Sequence, residues 1–223
     1  MDGIRLRAAI FDMDGTILDS MHIWEEVSVG FLRRRGIEPK PTFKEDVRMM
    51  TLEESARFAQ DEYGITESVP EIIESIYDAV REFYRSDAQM KPGAREFLQK
   101  LADANIPMCL ATATDRPFAE MALERLGIAD LFCGVFTCTE IGAGKNRPDI
   151  FMAAAEKMGV RPENAMVFED SYPALVTAKE AGFLLSGVSD RMSADRQMEL
   201  MEISHLYIKD FYSAAEDLNK FMK

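Results

Sequence analysis

The sequence predicts an α/β protein with a Rossmann-like parallel sheet core and an inserted all-helical domain. After Pro92, short apolar runs alternate with amphipathic stretches, an alternation typical of parallel strands joined by helices. Between residues 20 and 89, apolar residues instead recur every three or four positions, which is the spacing of helices. We therefore predict a core of residues 1–19 and 90–223, and a helical domain of residues 20–89.

The core is predicted to begin with a strand that is buried on both faces. Residues 6–11 form a short apolar run that stops at Asp12, and Asp14 with Gly15 then supplies turn chemistry. The helical domain follows, with glycines and prolines between its periodic stretches. Further strands are predicted at residues 107–111, 134–137, 165–168, 183–188 and 205–208, before a closing helix at residues 212–222.

Composition limits the possible partners and location. The chain has 223 residues, of which 47% are apolar, and a net charge of −13. This acidity argues against binding to nucleic acid or to an anionic membrane surface, because both need clustered basic residues. No apolar run approaches the roughly 20 residues of a membrane helix. With only three cysteines and no disulfide framework, we expect a reduced, cytoplasmic monomer or weak homodimer.

Polar residues follow the predicted strands, at the edge of a parallel sheet where ligands bind. These residues are Asp12, Asp14, Thr112, Lys145, Glu169 and Asp170. Two acidic clusters, a hydroxyl and a lysine are therefore expected to converge on one edge. Glycines near Lys145 could indicate a nucleotide-binding loop, but Thr139 and Asn146 stand where that loop needs Gly and Ser or Thr.

This residue set suits the transfer of a phosphoryl group. Asp12 and Asp14 are two positions apart, so their side chains point the same way and repel each other unless a cation intervenes. Mg²⁺ held by Asp12 and Asp170, with Glu169 in reserve or linked through water, would keep Asp12 ionised and nucleophilic. Asp14 would then act as general acid and base. Lys145 would neutralise charge on Asp12 and on the phosphate.

Four motifs in sequence order resemble those of the haloacid dehalogenase superfamily. They are residues 11–20 (FDMDGTILDS), residues 110–112 (LAT), Lys145 with Pro148-Asp149, and residues 167–171 (VFEDS). The helical insert is similar to the cap domain of the β-phosphoglucomutase-like branch. The resemblance implies that Asp12 becomes phosphorylated, and that Thr112, Ala113 and Lys145 bind the phosphate. It also places Asp14 among the metal-binding residues, but not through its side chain.

The resemblance implies a Mg²⁺-dependent phosphatase that acts on a small phosphorylated metabolite, either a sugar phosphate or a nucleotide. Family members that do not cleave phosphate esters usually lack the second aspartate, which this chain keeps as Asp14. A β-phosphoglucomutase-like phosphomutase is the first alternative. A non-catalytic binding module on the same scaffold is the second.

The helical domain departs from the mutase pattern at positions that bear on the substrate. Trp24 stands where the mutase has a histidine, and Leu52 replaces an arginine that grips a second phosphate. These differences favour hydrolysis over mutase activity. Arg48 and Trp24 are the predicted substrate contacts of the cap, although each also fits a purely structural role. In the fourth motif, Ala174 occupies the place of the usual glycine.

Overall fold

The computed structural model describes residues 6–47 and 50–221, without the side chains of Trp24, Glu25 and Glu45. The chain divides into two compact units, a sheet unit of Met1–Ser20 and Ala88–Lys223 and a helical unit of Met21–Asp87. Within the described residues, no helix combines the length and the apolar character needed to cross a membrane.

The sheet unit contains a six-stranded sheet whose neighbouring strands all run parallel. The strands are β1 (Ala8–Phe11), β2 (Met108–Thr112), β3 (Gly134–Thr137), β4 (Ala165–Glu169), β5 (Leu184–Val188) and β6 (Leu206–Ile208). Their order in the sheet is β3-β2-β1-β4-β5-β6. Each strand lies within two residues of its predicted range, so the predicted Rossmann-like α/β fold is confirmed.

Helices form the rest of the regular structure in the described part of the chain. Those of the helical unit are α1 (His22–Arg33), α2 (Phe43–Val47), α3 (Leu52–Tyr63) and α4 (Val69–Ser86). Those of the sheet unit are α5 (Ala94–Asp103), α6 (Arg116–Arg125), α7 (Cys138–Ile141), α8 (Asp149–Lys157), α9 (Tyr172–Glu180), α10 (Gln197–Ile203) and α11 (Phe211–Asp217). The predicted closing helix begins at Phe211 and ends earlier than expected, with a 3-10 turn at Leu218–Lys220.

The central strand β1 is covered on both faces. Ile10 lies in a buried cluster that includes Phe151 of α8 and Leu175 of α9. Phe11, the next residue, points to the opposite face, where its ring stacks on Phe168 at 4.2 Å between centroids and meets the edge of Phe97 from α5. Because both faces of β1 are buried, its sequence is a continuous run of apolar residues and does not alternate between apolar and polar ones. This burial fixes the position of the residues that follow β1.

The helical unit has its own apolar core and well-defined helix ends. Helix α4 packs against both α1 and α3, and its residues Val80 and Tyr84 are fully buried. A capping box starts α3: Glu54 N–H donates to the Thr51 hydroxyl, and the Glu54 carboxylate accepts from Thr51 N–H at 2.7 Å. Gly64 ends this helix with φ of 65°.

Candidate active site

The carboxyl edge of the sheet brings together residues from distant parts of the sequence. Asp12 directly follows β1, and its amide N–H donates to the carbonyl of Phe168 at 2.9 Å. Thr112 ends β2, Glu169 ends β4, and Asp170 comes next. These four predicted site residues are all buried. The parallel pairing of β1 with β2 and β4 therefore places their polar ends side by side.

Lys145 links two of the carboxylates. Its ammonium group donates to Asp12 Oδ1 and, at 2.7 Å, to Glu169 Oε2. The lysine side chain is 12% exposed and that of Glu169 only 2%. Burial alone would lower the pKa of Lys145, but the negative charges of Asp12 and Glu169 more than offset this and raise it. Lys145 is thus a fixed cation at the carboxylate predicted to be the nucleophile.

Three carboxylates form a group that fits a metal ion. Oxygen atoms of Asp12, Glu169 and Asp170 lie within 4.8 Å of one another. Burial, followed by the charge of Asp12, raises the pKa of Glu169 to about 7. Burial and the charges of Glu169 and Asp12 likewise raise the pKa of Asp170 well above its ordinary range. Crowded carboxylate oxygens are the donor set that Mg²⁺ prefers, and a divalent cation would offset their repulsion.

Asp14 has different partners from the other acidic residues. Its carboxylate accepts one hydrogen bond from Ser20 Oγ and another from Thr114 Oγ1, each at 2.6 Å. The Thr114 amide in turn donates to Thr112 Oγ1 at 3.0 Å. The two hydroxyl groups orient the Asp14 carboxylate, and it lies outside the three-carboxylate group. This arrangement agrees with a role for the Asp14 side chain other than metal binding.

The sequence interpretation assigned no role to Ser20 or Thr114. Ser20 is the last residue of the first motif, and Thr114 follows Thr112 by two positions. Both were therefore visible as hydroxyl residues beside predicted site residues. Their common partner, Asp14, could be recognised only in the folded chain.

A second buried ion pair was also missed. Lys91 donates to Asp190 Oδ2 at 2.9 Å and to the carbonyl of Ser189 at 2.6 Å, and the two side chains are 12% and 4% exposed. The charge of Asp190 raises the pKa of Asp170, whereas that of Lys91 lowers it. Asp190 is the second residue after β5, as Asp12 is the first after β1. Its position beyond the end of a predicted strand could have identified it as a residue of this edge. Among the described residues, four buried carboxylates (Asp12, Glu169, Asp170 and Asp190) accompany the ammonium groups of Lys145 and Lys91 at this edge, and this acidic excess suits a divalent cation.

The remaining predicted site residues lie outside these contacts. Ala113 is exposed between the buried Thr112 and Thr114 and directly follows β2. Arg48 lies outside the described residues, and Trp24 belongs to α1, but its side chain is not described. Ala174 is buried within α9 and replaces the expected glycine without removing a charged group.

The fold and this site define a Rossmann-like enzyme with an acidic, lysine-bridged centre at the carboxyl edge of its sheet. The haloacid dehalogenase-like hydrolase family model matches residues 6–182, and the chain belongs to this family. The family and the hydrolase class predicted from the sequence are therefore confirmed.

Individual relatives include both phosphatases and mutases. A probable pseudouridine-5'-phosphatase of Drosophila melanogaster is 31% identical over 87% of this chain and 87% of its own length. The β-phosphoglucomutase of Bacillus subtilis is 27% identical over 88% of this chain and 94% of its own length. The crystal structure of a putative β-phosphoglucomutase from Thermotoga maritima covers 96% of this chain and 99% of its own, with a TM-score of 0.83 at 23% identity. The last similarity supports the fold.

Proposed function

We propose that this protein is a Mg²⁺-dependent phosphatase of small phosphorylated metabolites that works through a phospho-aspartate on Asp12. One observation carries the proposal. The Asp12 carboxylate is buried, is held by the ammonium of Lys145, and lies within 4.8 Å of the Glu169 and Asp170 carboxylates. A carboxylate in such surroundings is oriented for attack on an electrophile that itself carries negative charge.

In the first proposed step, an Asp12 oxygen attacks the phosphorus of the substrate. The bond from phosphorus to the ester oxygen breaks, and Asp14 gives its proton to the leaving alkoxide. The Thr112 hydroxyl, the Ala113 N–H and Lys145 bind the phosphoryl oxygens as their charge shifts. The products are the free alcohol and an acyl phosphate on Asp12.

In the second step, water hydrolyses the acyl phosphate. Asp14, now ionised, takes a proton from the water as its oxygen attacks phosphorus, and the bond to Asp12 breaks. Inorganic phosphate leaves, and both aspartates return to their starting forms. Ser20 and Thr114 hold the Asp14 carboxylate in a fixed orientation between the two steps.

Asp12, Glu169 and Asp170 would hold Mg²⁺, which supplies charge that offsets their mutual repulsion and that of the substrate phosphate. Asp14 also belongs to the predicted metal-binding residues, and its side chain keeps its hydroxyl partners. The cap role predicted for the helical unit, and the substrate contacts predicted for Arg48 and Trp24, remain predictions.

The substrate class we favour is a phosphorylated sugar or nucleotide. The relative that acts on pseudouridine 5'-phosphate supports this choice, because that compound is a sugar phosphate that carries a base. A phosphomutase is the second candidate, supported by the similarity to β-phosphoglucomutase. Trp24 and Leu52 speak against it, because they replace the histidine and arginine of the mutase pattern.

A panel of phosphorylated metabolites, assayed for phosphate release with Mg²⁺, tests the proposal. We expect release from at least one sugar phosphate or nucleotide, and loss of release after chelation by EDTA or in Asp12→Asn. Acid quenching within a single turnover should add one phosphoryl group to the peptide that contains Asp12. Asp19→Asn is the matched control, because Asp19 lies in the same motif but pairs with Arg191.

Three outcomes would contradict the proposal. If chelation and Asp12→Asn both left phosphate release unchanged, the mechanism would be wrong. Incubation with a hexose 1-phosphate and a trace of bisphosphate separates the two candidates. Isomerisation without release of phosphate would favour the mutase, and a protein that binds the metabolites without either reaction would be a binding module.

A further inference from the structure

Two cysteines that the proposed chemistry does not use lie in contact at the start of strands β2 and β3. Cys109 is the second residue of β2 and is fully buried, whereas Cys133 directly precedes β3 and is exposed. Their Sγ atoms are 3.4 Å apart, although the residues are 24 positions apart in the sequence. A disulfide needs an S–S distance of about 2.05 Å, so the sulfurs have to approach by only ~1.4 Å.

The backbone around the pair already has the close spacing that a disulfide requires. Cys109 is the Cα partner of Gly134, and the Cys133 amide donates to the carbonyl of Met108 at 2.8 Å. Cys133 is one position out of register with Cys109. A lateral spacing of about 4.8 Å and a rise of about 3.3 Å put their Cα atoms ~5.8 Å apart, within the range of about 4.4–6.8 Å for disulfides. Side-chain rotation can therefore supply most of the approach.

Because Gly134 has no side chain, the Cys109 sulfur packs close to its backbone. A Cβ atom at this position would lie 3.5 Å from Cys109 Sγ, 3.5 Å from Lys157 Cγ and 3.1 Å from Phe136 Cε2. The face beside Gly134 is thus already occupied by the Cys109 sulfur and the stem of Lys157. Burial and the hydrogen bond with Cys133 raise the pKa of the Cys109 thiol, and the charge of Lys157 lowers it.

We propose that Cys109 and Cys133 form a modification site that small hydroperoxides convert reversibly into a disulfide. The exposed Cys133 thiol loses its proton, and the thiolate attacks a peroxide oxygen. The O–O bond breaks, Cys133 becomes a sulfenic acid, and the leaving alkoxide or hydroxide takes up the released proton and departs as an alcohol or water. The Cys109 sulfur then attacks Cys133, and the displaced hydroxide takes the Cys109 proton to form water. The two sulfurs lose two electrons in total, and the peroxide gains them. A dithiol reductant reverses the step by exchange.

The cross-link would join the two strands whose far ends lead into the active site. Thr112 ends β2 three residues after Cys109, and the segment after β3 continues to Lys145. Because the bond closes a loop in the unfolded chain, oxidation should raise the denaturant midpoint. The third cysteine, Cys138, is half-buried in α7 and is the internal comparison.

The full-length reduced protein is treated with near-stoichiometric hydrogen peroxide, alkylated, digested and analysed by mass spectrometry. We expect a cross-linked peptide that joins Cys109 to Cys133, formed well before the Cys138 thiol is lost and removed by dithiothreitol. The denaturant midpoint should rise in the oxidised protein and return on reduction. Cys138→Ser should leave the cross-link unchanged.

Variants separate the pair from a single reactive thiol. In Cys133→Ser, an exposed and mild change, the buried Cys109 should resist both oxidation and alkylation. In Cys109→Ala, Cys133 should accumulate as a sulfenic acid that a carbon nucleophile traps. The proposal would be overturned if the wild-type protein gave no Cys109–Cys133 peptide while Cys133 was oxidised. It would equally be overturned if cross-links to Cys138 formed as fast.

Discussion

Two lysines lie equally buried in the sheet unit, but their partners differ. Lys145 bridges Asp12 and Glu169, which come from the ends of two neighbouring strands. Lys91 binds Asp190 and a backbone carbonyl, neither of which we place in the reaction. Burial of a cation therefore does not by itself indicate catalysis. We base the proposed catalytic role of Lys145 on the carboxylates that it contacts, and for Lys91 we propose only a role in holding the structure around the site.

The largest expected effect tests this distinction through activity. Lys145→Met removes the cation that faces both Asp12 and the transferring phosphate, so we expect kcat to fall by about 10³-fold, equivalent to about 4 kcal/mol. Lys91→Met is the matched control, with the same exchange at the same degree of burial, and should lower kcat less than tenfold. Steady-state assays of both variants on the best substrate of the panel give the comparison. Equal losses would refute the proposed difference.

The next effect concerns stability. In the presence of Mg²⁺, we expect Lys91→Met to lower the free energy of unfolding more than Lys145→Met does, the reverse of their expected effects on kcat. Lys91→Met leaves the Asp190 carboxylate buried without its cation, and we expect the free energy of unfolding to fall by about 3 kcal/mol. The double variant Lys91→Met, Asp190→Asn removes that charge and should recover most of the loss. Urea titration in Mg²⁺ measures both. At Lys145 the bound ion still faces the carboxylates, so Lys145→Met should cost less.

A failure of the double variant to recover stability would change the interpretation. It would mean that Lys91 acts through packing of its aliphatic stem rather than through its charge.

Calorimetric titration with Mg²⁺ tests the influence of the Lys91 charge on the proposed metal site independently of stability. Loss of the Lys91 charge makes the surroundings of Asp170 more negative, so Lys91→Met should bind Mg²⁺ more tightly than the wild-type protein.

The smallest effect depends on pH and concerns the carboxylate that Lys145 holds. The pKa of Glu169 rises from 4.5 in its ordinary state to about 7 in the folded protein. Between these two values the folded state keeps a proton that the unfolded state releases. The protonated carboxyl group therefore stabilises the folded state fully below pH 4.5, and this stabilisation is lost as the pH rises through about 7. In EDTA, we expect the free energy of unfolding to fall by at most about 3 kcal/mol, spread across this window.

Two controls isolate the Glu169 contribution. Glu169→Gln cannot ionise, so its stability should depend less on pH over the same window in EDTA. Saturating Mg²⁺ favours the ionised carboxylates and should flatten the slope in the wild-type protein. A slope that neither control changes would assign the pH dependence to other groups.

The sequence was sufficient to predict the strands and the residues at their ends. The apolar run that stops at Asp12 and the run that ends in Glu169 and Asp170 are local signals, because a strand buried on both faces must be apolar throughout. The order of the four motifs then brought Thr112 and Lys145 to the same edge. For these residues, the topology of a parallel sheet supplies the long-range information.

The partners that orient these residues could not be predicted in the same way. Thr114 and Asp14 are 100 positions apart, and Lys91 is 98 positions from Ser189. The sequence around such a threonine or lysine contains no pattern that distinguishes a side chain with a buried partner from one exposed to solvent. The contact between Cys109 and Cys133 depends equally on the register of β2 against β3. Such contacts are properties of the folded chain.

The position of β1 in the sheet also has a consequence for the order in which the protein folds. Strand β1 is synthesised before β2 and β4, its two neighbours in the sheet, and Lys145 reaches Asp12 across 133 positions of sequence. During synthesis, the apolar residues of β1 cannot pair until β2 and β4 have been made. Such long-range pairing is slow, and it leaves the hydrophobic surface of β1 exposed in the meantime. The three carboxylates that we propose as metal ligands come together only when Asp170 has reached the edge of the sheet. Binding of Mg²⁺ would therefore report that β1 and β4 have paired, whether or not the later strands β5 and β6 have joined the sheet.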